Sequence, residues 1–436
     1  MNPTPARPAR NWLDLFLTGS LFGYVCMGRS FAHVGISPLY VGEILMGCYL
    51  LLRPMGTLGP VFAGLLRPTR YSFVVWSMGL SLLYGLLQTM RGIAYGHSPS
   101  ITIQNVVFHV YPIFLFVGLE IGRRVPNFFE RIASPLAWAN GIYGLLYVFV
   151  FNALGLTNTT DMYHLAVFGQ PNWTALVILL LLAFGGSKRS NWAALLINGF
   201  LLLVIQSRAE WVSFGVCLML WASLSGQLFR FFQPALVLTA LLTIAWLADL
   251  SVPSPESRGG GTVSVRTLVG QVAAVFDHSQ SHRAEESTRA GTITWRLGWW
   301  REIWRMVHAD VPRTFFGPGY GYPIWELHPE GTDDFPLRTP HNVMMYTLGY
   351  TGWVGFILFL VCQLTLGLLF WQSYRESGQA LGLCVWVMGV IRAVFDNYFE
   401  TPHLAIVFFL TCGLLLAHAE SCRDRRLSSS LPDAAS

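Results

Sequence analysis

Apolar residues run along this chain in long blocks separated by short polar breaks. Twelve blocks read as membrane-crossing helices: 12–28, 36–52, 71–90, 103–121, 137–155, 173–186, 191–206, 210–224, 232–248, 352–372, 379–395 and 403–419. Most approach the twenty or so residues needed to cross roughly 30 Å of hydrocarbon. The blocks at 173–186 and 210–224 are short and would borrow flanking residues or sit where the bilayer is thinned. Block 57–66 is too short to span and is expected to be interfacial or re-entrant. One long hydrophilic interruption, about 249–351, breaks the series. Its first part, 251–290, is rich in Ser, Gly, Arg and Glu and reads as flexible and partly helical. From Trp295 to Val307 the pattern turns amphipathic: Trp295, Trp299, Ile303 and Met306 share one helical face, with Arg301 and Arg305 elsewhere. Carrying four Trp, this helix is expected to lie flat in the membrane interface. Gly317, Gly319 and Gly321 make a turn-rich exit. Glu326, Glu330, Asp333 and Asp334 follow as an acidic patch, and Pro340 marks the expected start of the element carrying His341. The pattern predicts an all-α polytopic membrane protein. Residues 1–250 form a scaffold of about nine helices, 251–351 a long external loop, 352–420 the C-terminal helices and 421–436 a tail.

Composition agrees with this class. The 436 residues are 53% hydrophobic and only 12% charged, with a mean hydropathy of +0.48. The net charge of +5 matters less than where it lies. With the N-terminus in the cytoplasm, the cytoplasmic segments hold fifteen Lys and Arg residues, from Arg7 to Arg426, and the opposite short loops only Arg29, Arg91 and Arg208. That bias puts both termini inside and the long loop outside. Long loops cross regardless of charge, so the nine Arg between 258 and 338 do not oppose the assignment. The polar first 11 residues, with no small-residue cleavage site after the first apolar block, give no sign of a removable signal peptide. The seven Cys lie in or beside apolar blocks, which argues against a disulfide framework or a zinc site.

Three residues stand out chemically. Arg208, in IQSRAEWVSF, sits between two apolar blocks at the outer boundary. A charge in the hydrocarbon costs roughly 2.5 to 3.5 kcal/mol, so it has either a function or a partner. It reads as an anion clamp, or as an Arg that snorkels or pairs with Glu210. Arg296 stands at the expected start of the amphipathic helix, where exposed N–H groups and a guanidinium together suit a phosphate. The alternative is one more interfacial Arg among Trp residues. His341, between Pro340 and Asn342, opens a membrane element on the same side. A neutral imidazole can serve as general base near physiological pH, against the bland reading of a His bonding a carbonyl. Asp396, Asn397, Tyr398 and Glu400, in the external loop before the last block, could orient the base or an acceptor hydroxyl. Arg392 is expected to reach the outer interface or a carboxylate such as Asp396. Gln170-Pro171-Asn172-Trp173 opens the sixth block from outside, and His97, His109, His164 and His403 read as structural.

Walker, HExxH, Gly-x-Ser-x-Gly and dinucleotide patterns are all missing from the sequence. Arg-based anion binding with a His base remains, and neither metal, cofactor nor nucleic acid is expected.

Four stretches carry a resemblance: FGQPNWTAL at 168–176, QSRAEW at 206–211, WRLGWWREIW with FGPGYGYP across 295–323, and PHNVMMYTLGYTGWVGF at 340–356. Together with the single long loop, they resemble the O-antigen ligase and O-antigen polymerase superfamily of bacterial inner-membrane glycosyltransferases. The resemblance implies a GT-C-like helical fold of about twelve spans. It also implies a donor glycan on undecaprenyl diphosphate, a hydroxyl acceptor such as lipopolysaccharide core, and metal-independent transfer at the periplasmic face. By matched motif, His341 would be the catalytic His, and Arg208 and Arg296 would bind the diphosphate. Arg289 competes with Arg296 for the second role, and Glu210 follows Arg208 unusually closely. Asn342 and Asn172 fall in the matched motifs as supporting residues. A polymerase joining lipid-linked repeat units, and a protein-glycosylating ligase, share these motifs. A lipid-linked-sugar transporter is disfavoured because the two halves show no internal repeat.

Overall fold

A computed structural model describes residues 12–36, 39–157, 166–186, 188–226, 239–240, 242–253, 262–269, 284–327 and 339–430. Helices fall on all twelve predicted blocks, with 232–238 and 241 of the ninth block outside the described residues. Five helices are long and apolar enough to cross a membrane: Ser72–Ala94, Pro99–Arg124, Phe128–Phe151, Val343–Ser377 and Pro402–Ser429. A bent pair, Val41–Leu52 and Pro54–Leu66, meeting at 82°, makes a sixth if counted as one span. Trp12–Met27, Thr174–Phe184, Arg189–Val204 and Leu381–Phe395 are shorter apolar helices. The chain is therefore an all-α, multi-pass membrane protein.

Boundaries shift for local reasons. The second block becomes helical only at Val41, because Gly35–Ile36 and Leu39–Tyr40 pair as a small hairpin before it. The expected re-entrant block is the helix Pro54–Leu66, started by Pro at its first position. The last helix packs on Phe114–Arg124 through glycines at the crossing. A Cβ on Gly118 would strike the Leu410 carbonyl, and one on Gly413 the Leu115 carbonyl. This is the small-residue contact that lets membrane helices approach closely.

The long loop returns to the bundle at two places. The helix Ala284–Val307 buries Trp299, Ile303, Met306 and Val307 in the common core, with the Trp299 indole N–H donating to the Ile324 carbonyl at 2.8 Å. The helix expected at the interface is thus seated against the protein. Its apolar stripe packs against the protein, while Leu297 and Trp304 remain exposed. FGPGYGYP then dips between helices. The Tyr320 hydroxyl meets His109 Nε2 at 2.5 Å, the Tyr320 carbonyl meets His97 Nδ1 at 3.0 Å, and the Gly321 N–H donates to Asn105 at 3.0 Å. His97 and His109 are structural, as expected. Val343–Ser377 breaks at Gly352, whose φ of 62° is unfavourable for a residue with a Cβ. A Cβ there would lie 2.5–2.6 Å from the backbone of Gly317 and Phe315. The break is where the incoming turn is seated.

Candidate functional site

His341 lies outside the helix it was expected to open. Asn342 is the cap: its Oδ1 accepts the Met345 N–H at 2.9 Å, and the helix begins at Val343. The other end of the Asn342 amide donates to the Val394 carbonyl at 2.9 Å, tying this turn to the end of the helix Leu381–Phe395. His341 takes φ 50°, a left-handed conformation rare for a non-glycine residue. The Trp300 indole N–H holds the preceding residue by donating to the Pro340 carbonyl at 2.8 Å. The ring stays partly exposed, and its Nδ1 stands 3.6 Å from Asp396 Oδ1, just beyond hydrogen-bond length. Such contacts often tighten only when substrate binds.

Asp396 follows the same helix end. Burial opposes its ionisation, but the His341 ring, the Arg392 guanidinium and the Asn397 N–H outweigh burial and hold the carboxyl below the usual carboxylate range. Glu400, one turn on, goes the other way. Both carboxylate oxygens are sealed from solvent without a well-formed hydrogen bond. Burial and the neighbouring Asp396 push it well above the usual range, with only the Thr339 side chain opposing. Two carboxyls in one turn thus prefer opposite protonation states.

Arg296 reaches the same place from the loop helix, its Nη1 donating to the Phe395 carbonyl at 3.3 Å. It does not stand at a helix start. The helix begins at Ala284, so the N–H groups around Arg296 are spent on intrahelical bonds and only the guanidinium can address an anion. Ala, Glu and Arg make 284–294 helical without an apolar period to announce it. Arg289 lies on the same helix, with its side chain outside the described residues.

The helix-terminus argument applies instead to Arg208. It is the first residue of Arg208–Leu224, after Gln206 at φ 56°. That helix runs antiparallel to Leu381–Phe395, with Cys217 Sγ donating to the Cys384 carbonyl at 2.9 Å. Nine residues back from Cys217 and eleven on from Cys384 bring Arg208 and Phe395 to the same end of the bundle. Glu210, two residues on, serves a neighbouring helix. Its Oε1 accepts the Ala175 N–H at 2.9 Å, placing a buried carboxylate at the N-terminus of Thr174–Phe184.

The remaining candidates are supports. Arg392 is buried rather than at the interface. Its Nη1 donates to the Asn172 carbonyl at 2.9 Å, and its guanidinium lies 5.4 Å from the Trp173 ring and 4.9 Å from the Tyr398 ring. Tyr398 is therefore a buried stacking partner beneath Arg392, and its hydroxyl is not presented to an acceptor. Asn172 contributes its carbonyl, and the Trp173 indole N–H donates to the His403 carbonyl at 2.9 Å. Asn397 donates its N–H to Asp396. Trp300, which fixes the backbone before His341, had no sequence signal beyond its place among four Trp. His164 lies outside the described residues. The site thus gathers a partly exposed imidazole, a carboxylate beside it and two guanidinium-bearing helices at one end of the bundle. Such a set can take a proton and neutralise a multiply charged anion.

Residues 173–360 match the O-antigen ligase family. No curated protein matches the chain. The matched segment contains Arg208, Arg296 and His341, and ends before Arg392, Asp396 and Glu400.

Proposed function

We propose that this chain, whose residues 173–360 match the O-antigen ligase family, is a member of the O-antigen ligase and polymerase superfamily and transfers a glycan from undecaprenyl diphosphate to a hydroxyl of lipopolysaccharide core. Lipid-linked glycans and glycan acceptors are the general substrates of this family. The observation that carries the reading is His341, fixed in a strained turn 3.6 Å from Asp396 at the end of the bundle reached by Arg296.

In the reaction, the donor's lipid tail lies among the helices and its diphosphate reaches Arg208 and Arg296. As the bond from the anomeric carbon to the diphosphate oxygen breaks, negative charge grows on the diphosphate, and the two guanidinium groups and the N-terminus of Arg208–Leu224 stabilise it. His341 takes the proton of the acceptor hydroxyl, whose oxygen attacks the anomeric carbon with inversion. Asp396 stabilises the imidazolium that forms. The glycosyl–diphosphate bond supplies the driving force, and the resemblance implies that neither nucleotide nor metal takes part. The positive-inside bias supports an inner-membrane orientation with about twelve spans, cytoplasmic termini and the site on the periplasmic side.

The test is transfer by purified protein from an undecaprenyl-diphosphate glycan, with rough lipopolysaccharide and further lipid-linked glycan offered separately. Transfer to lipopolysaccharide, lost in His341→Ala, is expected. Lengthening of the lipid-linked glycan alone would make the protein a polymerase. A fully active His341→Ala protein would sink the mechanism, and movement of intact lipid-linked glycan without transfer would point to a transporter.

A further inference from the structure

The opposite end of the bundle holds a cleft that glycosyl transfer does not use. The helix Val343–Ser377 starts beside His341 and ends beside Glu376, about 50 Å away along its 35 residues. Arg70 and Tyr71 precede the span Ser72–Ala94, Arg123 ends Pro99–Arg124, and Glu420 lies in the last turns of Pro402–Ser429. All four belong to that second face, the one the charge bias puts in the cytoplasm. Here the helix Pro54–Leu66 turns 82° from its predecessor, and between it and the bundle lies a cleft of about 490 Å³.

The two walls differ in chemistry. Pro54–Leu66 offers small apolar surface, with Gly56, Gly59, Pro60 and Ala63 along the opening. A Cβ on Gly59 would meet nothing within 4 Å, so this wall faces open space. The facing wall carries Arg70, Arg123, Glu120 and Glu420, two cations and two anions. Arg123 forks onto Glu420 at 2.9 and 3.1 Å, while Arg70 stands 3.5 Å from Glu376 and 3.9 Å from Glu420. The Arg70 Nε is buried without a hydrogen-bond partner, although buried donors are normally satisfied.

We propose that this cleft binds one zwitterionic phospholipid with a primary ammonium headgroup. Its phosphate answers Arg70 and Arg123, its ammonium donates to Glu120 and Glu420, and an acyl chain lies along the Gly59 and Ala63 wall. Charge complementarity selects this occupant. The four lining charges cancel, as do the two behind them, Arg124 on Glu120 at 2.9 Å and Glu376 at 3.5 Å from Arg70, so a headgroup bearing both signs is matched, whereas a purely anionic one sets its charge beside carboxylates. A choline headgroup brings the cation but no N–H for the carboxylates.

The test is independent of transferase activity. Purified protein is equilibrated with equal phosphatidylethanolamine, phosphatidylcholine and phosphatidylglycerol, then stripped in mild detergent, and retained lipid is counted by native mass spectrometry. One phosphatidylethanolamine per chain is expected to persist. Gly59→Leu, which fills the cleft from a position with room for the side chain, should cut retention about tenfold. Ala63→Leu does the same from an exposed position, should Gly59→Leu fail to fold. Equal retention of phosphatidylglycerol or phosphatidylcholine, or unchanged retention in the folded variants, would overturn the proposal.

Discussion

Asp396→Asn isolates what the carboxylate beside His341 contributes. The amide keeps the shape and can still accept the Asn397 N–H, but it carries no charge. If His341 takes the acceptor's proton, an imidazolium forms 3.6 Å from the Asp396 oxygen during the reaction. At an effective dielectric of about 20, unit charges at that distance attract by about 4.6 kcal/mol. The two side chains are 24% and 32% exposed, so water screens the pair. Doubling the dielectric leaves about 2 kcal/mol, or roughly a 30-fold loss in rate. The loss should fall on kcat, because the charge develops only as the proton moves, and the groups assigned to the diphosphate are untouched. The assay is steady-state transfer from lipid-linked glycan, with kcat and the donor KM measured separately for wild type and variant. A variant with unchanged kcat, or one whose loss lies wholly in the donor KM, would refute the assignment of Asp396 to the imidazolium.

Other substitutions separate the remaining roles. Arg208→Ala and Arg296→Ala should each lower kcat/KM by about 10²- to 10³-fold. Lys should restore only part, since it lacks the planar fork, and equal activity with Ala and Lys at wild-type level would remove the residue from the site. Trp300→Phe deletes the N–H that holds the Pro340 carbonyl, about 1 kcal/mol of local support. It should lower kcat about fivefold with thermal stability nearly unchanged, which single-turnover rates and a melting curve would check. Glu400→Gln tests the buried acid. Glu400 keeps its proton in the fold but loses it above about pH 4.3 when unfolded. Unfolding therefore releases a proton, and this group's contribution is full below that pH and declines as pH rises. Wild-type melting temperature should fall from about pH 5 to pH 8 more steeply than that of Glu400→Gln, and parallel curves would show an ionised Glu400.

Hydrophobicity alone makes the membrane scaffold legible, because a long apolar run finds its lowest free energy in hydrocarbon. His341 and Asn342 are legible for a different reason: a Pro-His-Asn sequence just before an apolar block signals a cap, and the cap is there, later than Pro340 suggests. Arg296 stands out in the sequence for a reason that does not hold. A helix whose first turns lack an apolar period looks like loop, so the pattern puts its start at Trp295 instead of Ala284. In the same helix the apolar stripe packs on protein, which periodicity does not announce, because such a stripe is equally suited to lipid or to protein. The supports are invisible in sequence. Trp300 reaches a carbonyl 40 residues away, and Arg392 one 220 residues away. Neither a Trp nor an Arg carries a local mark of a long-range carbonyl partner.

The way the site is mounted bears on how it would work. Among the described residues only Gln206, Asp249 and His341 are non-glycines at positive φ, and one of these is the proposed base while another lies two residues before Arg208, the proposed anion clamp. Conformations of this kind cost of order 1 to 3 kcal/mol and persist only where neighbours over-determine them. At His341 those neighbours are identifiable: Trp300 on the Pro340 carbonyl, Asn342 bonded at both ends of its amide, and Asp396 facing the ring. A base held on both sides in this way has little freedom to swing toward its substrate. On the reading proposed, the acceptor hydroxyl must therefore come to the exposed edge of the ring, while the donor's diphosphate is fixed by groups on other helices. Discrimination among acceptors would then lie in the surface leading to His341 and not in His341 itself. The same constellation could serve a lipopolysaccharide acceptor in one relative and a lipid-linked repeat in another, which is why shared motifs leave ligase and polymerase unseparated.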